Sequence, residues 1–389
     1  MANNNKSVDQ LEAEQLARLV SIVGAGYRET GHKLESLSDL AKLPVLRKDE
    51  LLQSQLNDPP FGMLKPEKIA NIYQSPGPIY EPCLPGADPW RFGKFLRAVG
   101  IGHGDIVQNT FSYHFTPAGA MFETAAREVE ATVFPAGPGQ SWQQCEVAQA
   151  IKTTVYAGTP DFLAIILAKA DEEGFDLSSI KRAAVSAGPL FPQLRQSYLD
   201  RDIVCRQCYG TADVGLIAYE SEDCINGMFV DDDVIVEILS PGTSNPVPAG
   251  EIGEVVVTVL NESHPIVRFS VGDLSAFISE TGDTQKRIVG WRGRADQATK
   301  VKGMFIRPEQ VSAMVDRHPE IHRARVEVSF DGSNEWIDVK IESNLKDAKQ
   351  FEDLARETLK LKTRVTVVDN GELPRDGILV SDLRENVAG

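Results

Sequence analysis

Three short segments of the chain carry side chains whose chemistry suits a nucleotide. The first contains Tyr209 and Gly210, an aromatic face for a purine next to a residue that lets the backbone approach closely. The second contains Asp273, whose carboxylate only accepts hydrogen bonds and therefore suits paired donors. The third contains Arg294, whose forked guanidinium can hold a phosphate or ribose oxygen. Each also has an ordinary structural interpretation, since an Asp after a Gly is a common turn residue and a Gly–Arg pair is common in solvated loops.

The elements that must position these residues can be predicted from periodicity. Between Trp90 and Leu239 helical and strand patterns alternate, which predicts α/β layers with a parallel sheet. The Pro- and Gly-rich segment 71–88 predicts a loop. From Asp233 to Ile278, three apolar runs separated by Pro- and Gly-rich turns predict an antiparallel meander. Near the C-terminus two alternating runs, a helix over 347–362 and a further strand predict a small α+β domain.

Composition narrows the class of function. Among 389 residues, 40 Lys and Arg face 56 Asp and Glu, which gives a net charge of −16. This balance argues against a nucleic acid polymer or a membrane as partner, because both need clustered positive charge. The longest apolar run is too short to span a bilayer, and we expect no secretory signal. Five irregularly spaced cysteines are interpreted as reduced thiols. We therefore predict a cytoplasmic, multi-domain enzyme that acts on small molecules.

Taken in order, three motifs resemble the adenylate-forming enzymes, and among them the phenylacetate–CoA ligase branch. They are CYGTADVG at 208–215, VRFSVGDL at 267–274 and GRADQATKVKG at 293–303. The family has an aromatic-Gly-x-Thr-Glu run, an R-x-x-x-G-D-L run and a G-R-x-D-D-x-x-K-x-x-G run in these places. The resemblance implies a large α/β domain over 1–293, with parallel sheet layers and a β-meander or barrel part. It also implies a small, mobile C-terminal α+β domain over 294–389.

The resemblance also implies roles for single residues. The residues that would contact the nucleotide are Gly188, Pro189, Tyr209, Gly210, Thr211, Asp273 and Arg294. Asp213 would replace the family's magnesium-associated Glu, as a catalytic and metal-binding residue, and Asp296 would be the hinge. The acyl pocket would be lined by Tyr113, His114 and Ala187. For His114, a histidine satisfied by the backbone is the alternative.

Two parts of the family pattern are altered in this chain. Relatives have a loop of the type S-S-G-T-T-G-x-P that cradles the ATP phosphates, whereas Gln74–Pro82 reads QSPGPIYEP. Both threonines are absent, and Glu81 places a negative charge where phosphates would lie. Relatives also carry a lysine shortly after an L-P-R run, whereas no lysine follows Lys362 in this sequence. Lys300 and Lys302 are the catalytic cations that could substitute, and we expect ATP-driven adenylation to be weak.

A metal site built on cysteines is the weaker interpretation of another motif. Cys205 and Cys208 form a C-x-x-C pair, and Cys224 follows. A single pair without a second pair or a nearby histidine is better explained by buried thiols, so we predict no transition metal.

The function that the resemblance implies is an acyl-CoA ligase-like, AMP-forming protein. It would convert a small aryl or alkyl carboxylic acid through an acyl-adenylate to its CoA thioester, with ATP/AMP, CoA and Mg²⁺. The apolar and aromatic stretch 111–122 suits such an acid, and a homodimer is allowed. Two alternatives stay open. One is a catalytically impaired homologue that binds a nucleotide, acyl-adenylate or CoA as a sensor or partner subunit; the other is an acyltransferase that uses a pre-activated acyl donor.

Overall fold

A computed structural model of the chain forms two compact units. It describes residues 7–24, 34–75, 79–188, 190–222, 224–278, 285–295, 299–301, 304–330, 335–376 and 378–384. The first unit comprises Met1–Glu251, Val255–Val271 and Ala276–Gly290, and the second Ile252–Glu254, Gly272–Ser275 and Trp291–Gly389. The division of the chain at 293/294 into a large and a mobile small domain stays a prediction.

The N-terminal part of the first unit ends in a β-hairpin that the sequence did not predict. Two α-helices, α1 (Val8–Gly24) and α2 (Lys48–Asn57), precede the strands β1 (Asn71–Ser75) and β2 (Ile79–Cys83). The prediction of a loop over 71–88 was therefore wrong for these two strands. A proline is tolerated here because Pro82 lies in a two-stranded sheet, in which each strand has a free edge.

The centre of the first unit is a mixed sheet. Its strands in chain order are β3 (Ile106–Asn109), β4 (Thr132–Pro135), β5 (Val155–Gly158), β6 (Arg182–Val185), β7 (Val204–Thr211), β8 (Gly215–Ser221) and β9 (Cys224–Val230). They lie in the order β9-β8-β7-β6-β5-β3-β4. The strands β4, β3, β5, β6 and β7 are parallel, and β8 and β9 continue the sheet in antiparallel fashion. The predicted α/β layers with a parallel sheet are confirmed.

Helices cover both faces of this sheet. They are α3 (Gly93–Ala98), α4 (Ala118–Glu128), α5 (Ser141–Ile151), α6 (Pro160–Glu173) and α7 (Pro192–Leu199). Strand β5 shows the consequence, because Val155 and Ala157 enter one apolar core and Tyr156 enters the other. A strand buried on both faces appears in sequence as a short apolar run, which is the pattern that predicted it. Among the described helices, none combines the length and the apolar character that a membrane crossing needs.

A three-stranded sheet follows with the strand order of the predicted meander. Its strands are β10 (Val234–Leu239), β11 (Gly253–Val259) and β12 (Ile266–Ser275), in the order β10-β11-β12. A two-residue strand, β13 (Arg287–Ile288), then pairs with β9 at the edge of the central sheet. Within the described residues this makes the central sheet eight-stranded.

The second unit is the predicted small α+β fold. It contains a short hairpin, β14 (Thr299–Val301) with β15 (Met304–Ile306), and then α8 (Pro308–Arg317), β16 (Ile321–Phe330), β17 (Glu335–Ser343), α9 (Lys349–Leu359), β18 (Arg364–Val368) and β19 (Val380–Asp382). The main sheet has the order β18-β17-β16-β19, with β16 and β17 antiparallel and the outer strands parallel to their neighbours. The predicted turn between β16 and β17, DGSN at 331–334, lies outside the described residues.

Candidate active site

Several predicted site residues of the first unit meet at one edge of the central sheet. Strands β3, β5, β6 and β7 are parallel neighbours, so their carboxyl ends lie side by side. This edge of an open α/β sheet is where ligands generally bind. The predicted residues in or directly after these strand ends are Tyr113, His114, Ala187, Gly188, Tyr209, Gly210 and Thr211. Pro189 lies outside the described residues.

The loop after β3 fixes the predicted acyl-pocket residue Tyr113. The buried Asn109 side chain donates one hydrogen bond to the Tyr113 hydroxyl at 2.7 Å and another to the carbonyl of Gly119 at 2.8 Å. Burial, followed by a hydrogen bond with Glu123, raises the pKa of Tyr113, so the phenol is neutral at physiological pH. Asn109 was missed in the sequence, where a single Asn at a strand end carries no signal. Tyr113 can therefore present a fixed, uncharged aromatic ring.

The rest of that loop is more exposed and is joined to the β1–β2 hairpin. His114 and Phe115 are exposed, and their rings meet edge to face with centroids 4.5 Å apart. The backbone N–H of Gln74 in β1 donates to the carbonyl of Phe115 at 3.0 Å. The loop of the predicted acyl pocket and the counterpart of the phosphate loop are thus hydrogen-bonded neighbours. His114 faces solvent, rather than being a buried histidine.

The segment after β6 is held against its neighbours by Ser186. Its N–H donates to the carbonyl of Gly158 at 3.2 Å, and its hydroxyl donates to the carbonyl of Cys208 at 3.0 Å. The next residue, Ala187, has φ +60°, a left-handed conformation that residues with a Cβ adopt at a cost. Such strain is common at functional sites, and it turns the chain sharply at the predicted border between acyl and adenine positions.

Tyr209 and Gly210 are packed into the protein. The side chain of Tyr209 is buried, with 6% of the residue exposed, so its ring has little surface for a purine in this conformation. A Cβ at Gly210 would lie 2.7 Å from the carbonyl oxygen of Gly215 and 2.8 Å from the ring of Phe92. The glycine is therefore required by packing between β7, β8 and α3. The role of both residues in nucleotide binding stays a prediction.

Asp213 lies in a polar cluster, here called the Lys48 cluster, that consists of Lys48, Ser75, Glu81 and Asp213. The Asp213 side chain is 4% exposed, and its Oδ2 pairs with Lys48 Nζ at 3.1 Å. Ser75 Oγ donates to Glu81 Oε1 at 2.7 Å. Burial and the charge of Asp213 raise the pKa of Glu81 well above its ordinary value. Lys48 was not predicted, because no local pattern connects residues 48 and 213.

A small pocket beside the Lys48 cluster is mostly apolar. Its polar lining consists of Gln55, Glu81, Asp213 and His264. Burial lowers the pKa of His264 to about 4, so its imidazole is neutral at physiological pH. His264 was not predicted from the sequence, where it is one of 6 histidines without a motif.

The surroundings of Asp213 do not fit a preformed magnesium site. One carboxylate oxygen is paired with the Lys48 ammonium. Over the part of the chain that the structure describes, no three His, Cys, Asp or Glu side chains are grouped so that they could hold a metal ion. Magnesium prefers several oxygen ligands and keeps water where the protein supplies few. Asp213 is therefore an ion-pair partner of Lys48 in this structure.

Asp273 and Arg294, both in the second unit, are brought together. Arg294 Nη1 donates to Asp273 Oδ1 at 3.3 Å, and Trp291 Nε1 donates to the same oxygen at 3.2 Å. Gly272 has φ +76°, and a Cβ there would lie 2.8 Å from the Arg294 guanidinium. The predicted hinge Asp296 and the predicted cation Lys302 lie outside the described residues, while Lys300 is known only as a backbone position in β14.

The L-P-R segment of the second unit is anchored by arginines of β16. Arg325 Nη1 pairs with Asp376 at 2.8 and 3.0 Å. Arg323 donates to the carbonyls of Leu373 and Pro374 at 3.0 and 2.9 Å. The segment that carries a lysine in relatives is thus tied to the sheet here, and an aspartate follows Arg375.

The two cysteines of the C-x-x-C pair are buried free thiols. Burial raises the pKa of Cys205 to about 12 and that of Cys208 further still. Both are therefore protonated at physiological pH, which disfavours thiolate chemistry. The side chain of Cys224 is not described.

The chain is similar to known proteins along most of its length. The family model described as AMP-binding enzyme matches residues 94–259. A phenylacetate-coenzyme A ligase of Aromatoleum evansii is 28% identical over 87% of this chain and 83% of its own length. That of Escherichia coli is 24% identical over 98% and 97%. Among solved structures, a 2-hydroxyisobutyryl-CoA ligase in complex with 2-HIB-AMP matches with a TM-score of 0.78 at 20% identity, covering 97% of this chain and 89% of that one.

A second structural match is more distant. An anthranilate CoA ligase in complex with anthranoyl-AMP has a TM-score of 0.61 at 18% identity, over 82% of this chain and 67% of that one. At 18–20% identity the structural matches show a shared fold only. The curated sequences show similarity to phenylacetate-coenzyme A ligases. The chain is thus similar to AMP-binding enzymes over residues 94–259 and to phenylacetate-coenzyme A ligases along most of its length.

Proposed function

We propose that this protein is an acyl-CoA ligase-like, AMP-forming enzyme that acts on a small aryl or alkyl carboxylic acid. The observation that carries the proposal is the kinship with phenylacetate-coenzyme A ligases along 87% of the chain. The juxtaposed strand ends support it, because the chain has kept the sheet edge on which an acyl-adenylate would lie. A crystal structure of a 2-hydroxyisobutyryl-CoA ligase contains 2-HIB-AMP and CoA. This supports the proposal that an acyl-adenylate and CoA bind to the present chain.

The reaction has two steps, and the residues of this chain bind and orient the reactants. A carboxylate oxygen attacks the α-phosphorus of ATP and pyrophosphate leaves; the CoA thiol then attacks the acyl carbonyl, and AMP leaves. Asp273 accepts hydrogen bonds from the ribose hydroxyls, and Arg294 holds an oxygen of the ribose or phosphate. Tyr113 and His114 contact the acyl group, with Ala187 at the border to the nucleotide. Orientation of this kind lowers the barrier by holding the reacting atoms close.

A specific observation favours a second candidate, an acyltransferase that uses a pre-activated acyl donor. The hairpin β1–β2 lacks both threonines of the family's phosphate loop, and Glu81 is buried there beside Asp213. The L-P-R segment is anchored and is followed by Asp376. These changes affect adenylation and leave the attack of a thiol on a preformed acyl-adenylate intact. If the attack of the thiol on the acyl-adenylate is lost as well, the protein would be a catalytically impaired homologue that only binds these ligands.

Three finer predictions accompany the proposal. Magnesium would enter as the counter-ion of ATP, a homodimer is allowed, and the protein would work in the cytoplasm. The buried free thiols Cys83, Cys145, Cys205 and Cys208 are compatible with a reducing compartment. Light scattering after gel filtration would test the dimer.

The test of the proposal is pyrophosphate release. The purified protein is incubated with Mg-ATP and a panel of aryl and alkyl carboxylic acids, with and without CoA. Pyrophosphate release that depends on one class of acid supports the ligase. If no acid releases pyrophosphate but an acyl-adenylate and CoA still yield a thioester, the second candidate is correct. If neither reaction occurs, both are wrong.

A further inference from the structure

We propose that the Lys48 cluster replaces the magnesium–polyphosphate contacts at Asp213, so that the site selects a nucleoside monophosphate group, as in AMP or an acyl-adenylate, over Mg-ATP. The inference rests on the proposed function, since it assumes that an adenosine nucleotide is bound. It concerns residues 48, 75, 81 and 213, which all belong to the first unit.

Asp213 already has a cation as its partner. Lys48 Nζ lies 3.1 Å from Oδ2, and the carboxylate is almost completely buried. A magnesium ion bound to the same carboxylate would place two positive charges within a few ångströms of each other, away from bulk water. Such repulsion is strong where solvent screening is weak. Lys48 would have to leave before magnesium could bind.

The Glu81 side chain is held in its position beside Asp213. It lies in β2 opposite Tyr73 of β1, and Ser75 of the same hairpin donates to its carboxyl group. Gln55 of α2 bonds both backbone groups of the preceding residue, accepting from the Tyr80 N–H at 2.9 Å and donating to the Tyr80 carbonyl at 2.8 Å. The hairpin is thereby tied to the helix whose first residue is Lys48. The cluster is built by two elements that are fixed to each other.

The charge of the cluster also disfavours a polyphosphate. The Asp213 carboxylate, 3.1 Å from Lys48 Nζ, already neutralises this ammonium, so within the cluster no positive charge is left for further phosphates. A triphosphate brings several negative charges to this position, whereas the phosphate of AMP brings about 1.5 to 2 and that of an acyl-adenylate about one. Because no cation of the cluster offsets the additional charges in this poorly solvated site, ATP is weakened more than AMP.

The test compares nucleotide affinities with and without a divalent cation. Calorimetry measures AMP and ATP binding to the full chain in excess Mg²⁺ and in EDTA, and electron paramagnetic resonance measures Mn²⁺ binding as the probe of the metal site. We expect AMP affinity to change less than about twofold between Mg²⁺ and EDTA, and ATP to bind at least about tenfold more weakly than AMP. Mn²⁺ should show no binding that depends on Asp213.

Variants make the test specific. Glu81→Gln keeps an acceptor for Ser75 and makes this side chain permanently neutral, and it should leave ATP at least about tenfold weaker than AMP, because Asp213 still neutralises Lys48. Lys48→Gln should create Mn²⁺ binding that the second substitution Asp213→Asn removes. The matched control is Glu172→Gln on the exposed side of α6, which should change none of these values.

Two results would overturn the inference in distinguishable ways. If the unchanged protein binds Mg-ATP more tightly than AMP, or binds Mn²⁺ in a manner that Asp213→Asn abolishes, the Lys48 cluster is a metal site and the inference alone is wrong. If AMP, ATP and acyl-adenylates all fail to bind, the proposed function is wrong and the inference falls with it. Should Glu81→Gln fail to fold, the Mg²⁺ and EDTA comparison on the unchanged protein decides.

Discussion

Replacing Arg268 with methionine should destabilise the protein by about 3–5 kcal/mol, the range for breaking a buried ion pair by removing one partner. Arg268 is completely buried and lies in the VRFSVGDL motif. Its guanidinium donates to both oxygens of Glu237, at 2.9 Å each, and to the carbonyl of Leu43. The Met side chain would fill much of the volume but leave a carboxylate and a carbonyl without their donor. Through these contacts Arg268 stabilises the fold.

The assay is urea unfolding followed by circular dichroism, with a double-mutant cycle. Glu237→Leu alone should also destabilise, because it leaves the buried guanidinium unpaired. Arg268→Met with Glu237→Leu should recover a large part of the loss, since no charge then stays buried without a partner. A loss below about 1 kcal/mol in Arg268→Met would refute this reasoning. So would unchanged stability combined with a loss of AMP binding, because that result would make Arg268 a ligand-binding residue.

Three further predictions concern nucleotide binding, domain structure and pH. Asp273→Ala should weaken AMP binding by about 1.5–3 kcal/mol in calorimetry, the range for hydrogen bonds to a charged group, and equal affinities would exclude the ribose contact. Limited proteolysis should cut near 290–300 and leave a stable large fragment; fragments of unrelated size would contradict a hinge there. Burial alone would raise the pKa of Asp233, but Lys94 and Arg18 outweigh it and lower this pKa to about 2. The ion pairs thus contribute stability above pH 3.8 that is lost as the pH falls through about 2. Asp233→Asn should lower the free energy of unfolding by about 1 kcal/mol at neutral pH, allowing for solvent screening, and by much less near pH 2. Urea unfolding measured over a range of acidic pH values would check this.

Much of the fold could be predicted because its elements have strong local patterns. Helix α6 is an example, since Pro160 begins it and Gly174 ends it in the left-handed conformation that favours glycine. The alternating runs of β16 and β17 likewise have one buried face and one more exposed face. The hairpin β1–β2 could not be predicted, because segment 71–88 is rich in proline and glycine, a composition that indicates a loop. The pairing of β1 with β2 leaves no pattern in this sequence that outweighs that signal.

The candidate site was predictable only in part. Motif order identified the strand ends and brought Asp273 and Arg294 into one site, where the structure pairs them. Contacts between distant parts of the chain could not be predicted from local patterns. The ion pair between Lys48 and Asp213, which are 165 residues apart, is the clearest case. The burial of Tyr209 was missed for a related reason. An aromatic residue beside a glycine has the same pattern whether it stacks on a ligand or packs in a core.

One single-turnover measurement shows directly whether this chain transfers an acyl group from an adenylate to CoA. A preformed aryl- or alkyl-adenylate is mixed with an excess of the protein and CoA, without ATP, and the products are followed by mass spectrometry. We predict an acyl-CoA thioester and AMP in equal amounts, at a rate well above that of the solution without protein, and a strong reduction in Asp273→Ala. If no acyl-adenylate of the panel yields thioester faster than the solution alone, the prediction is contradicted.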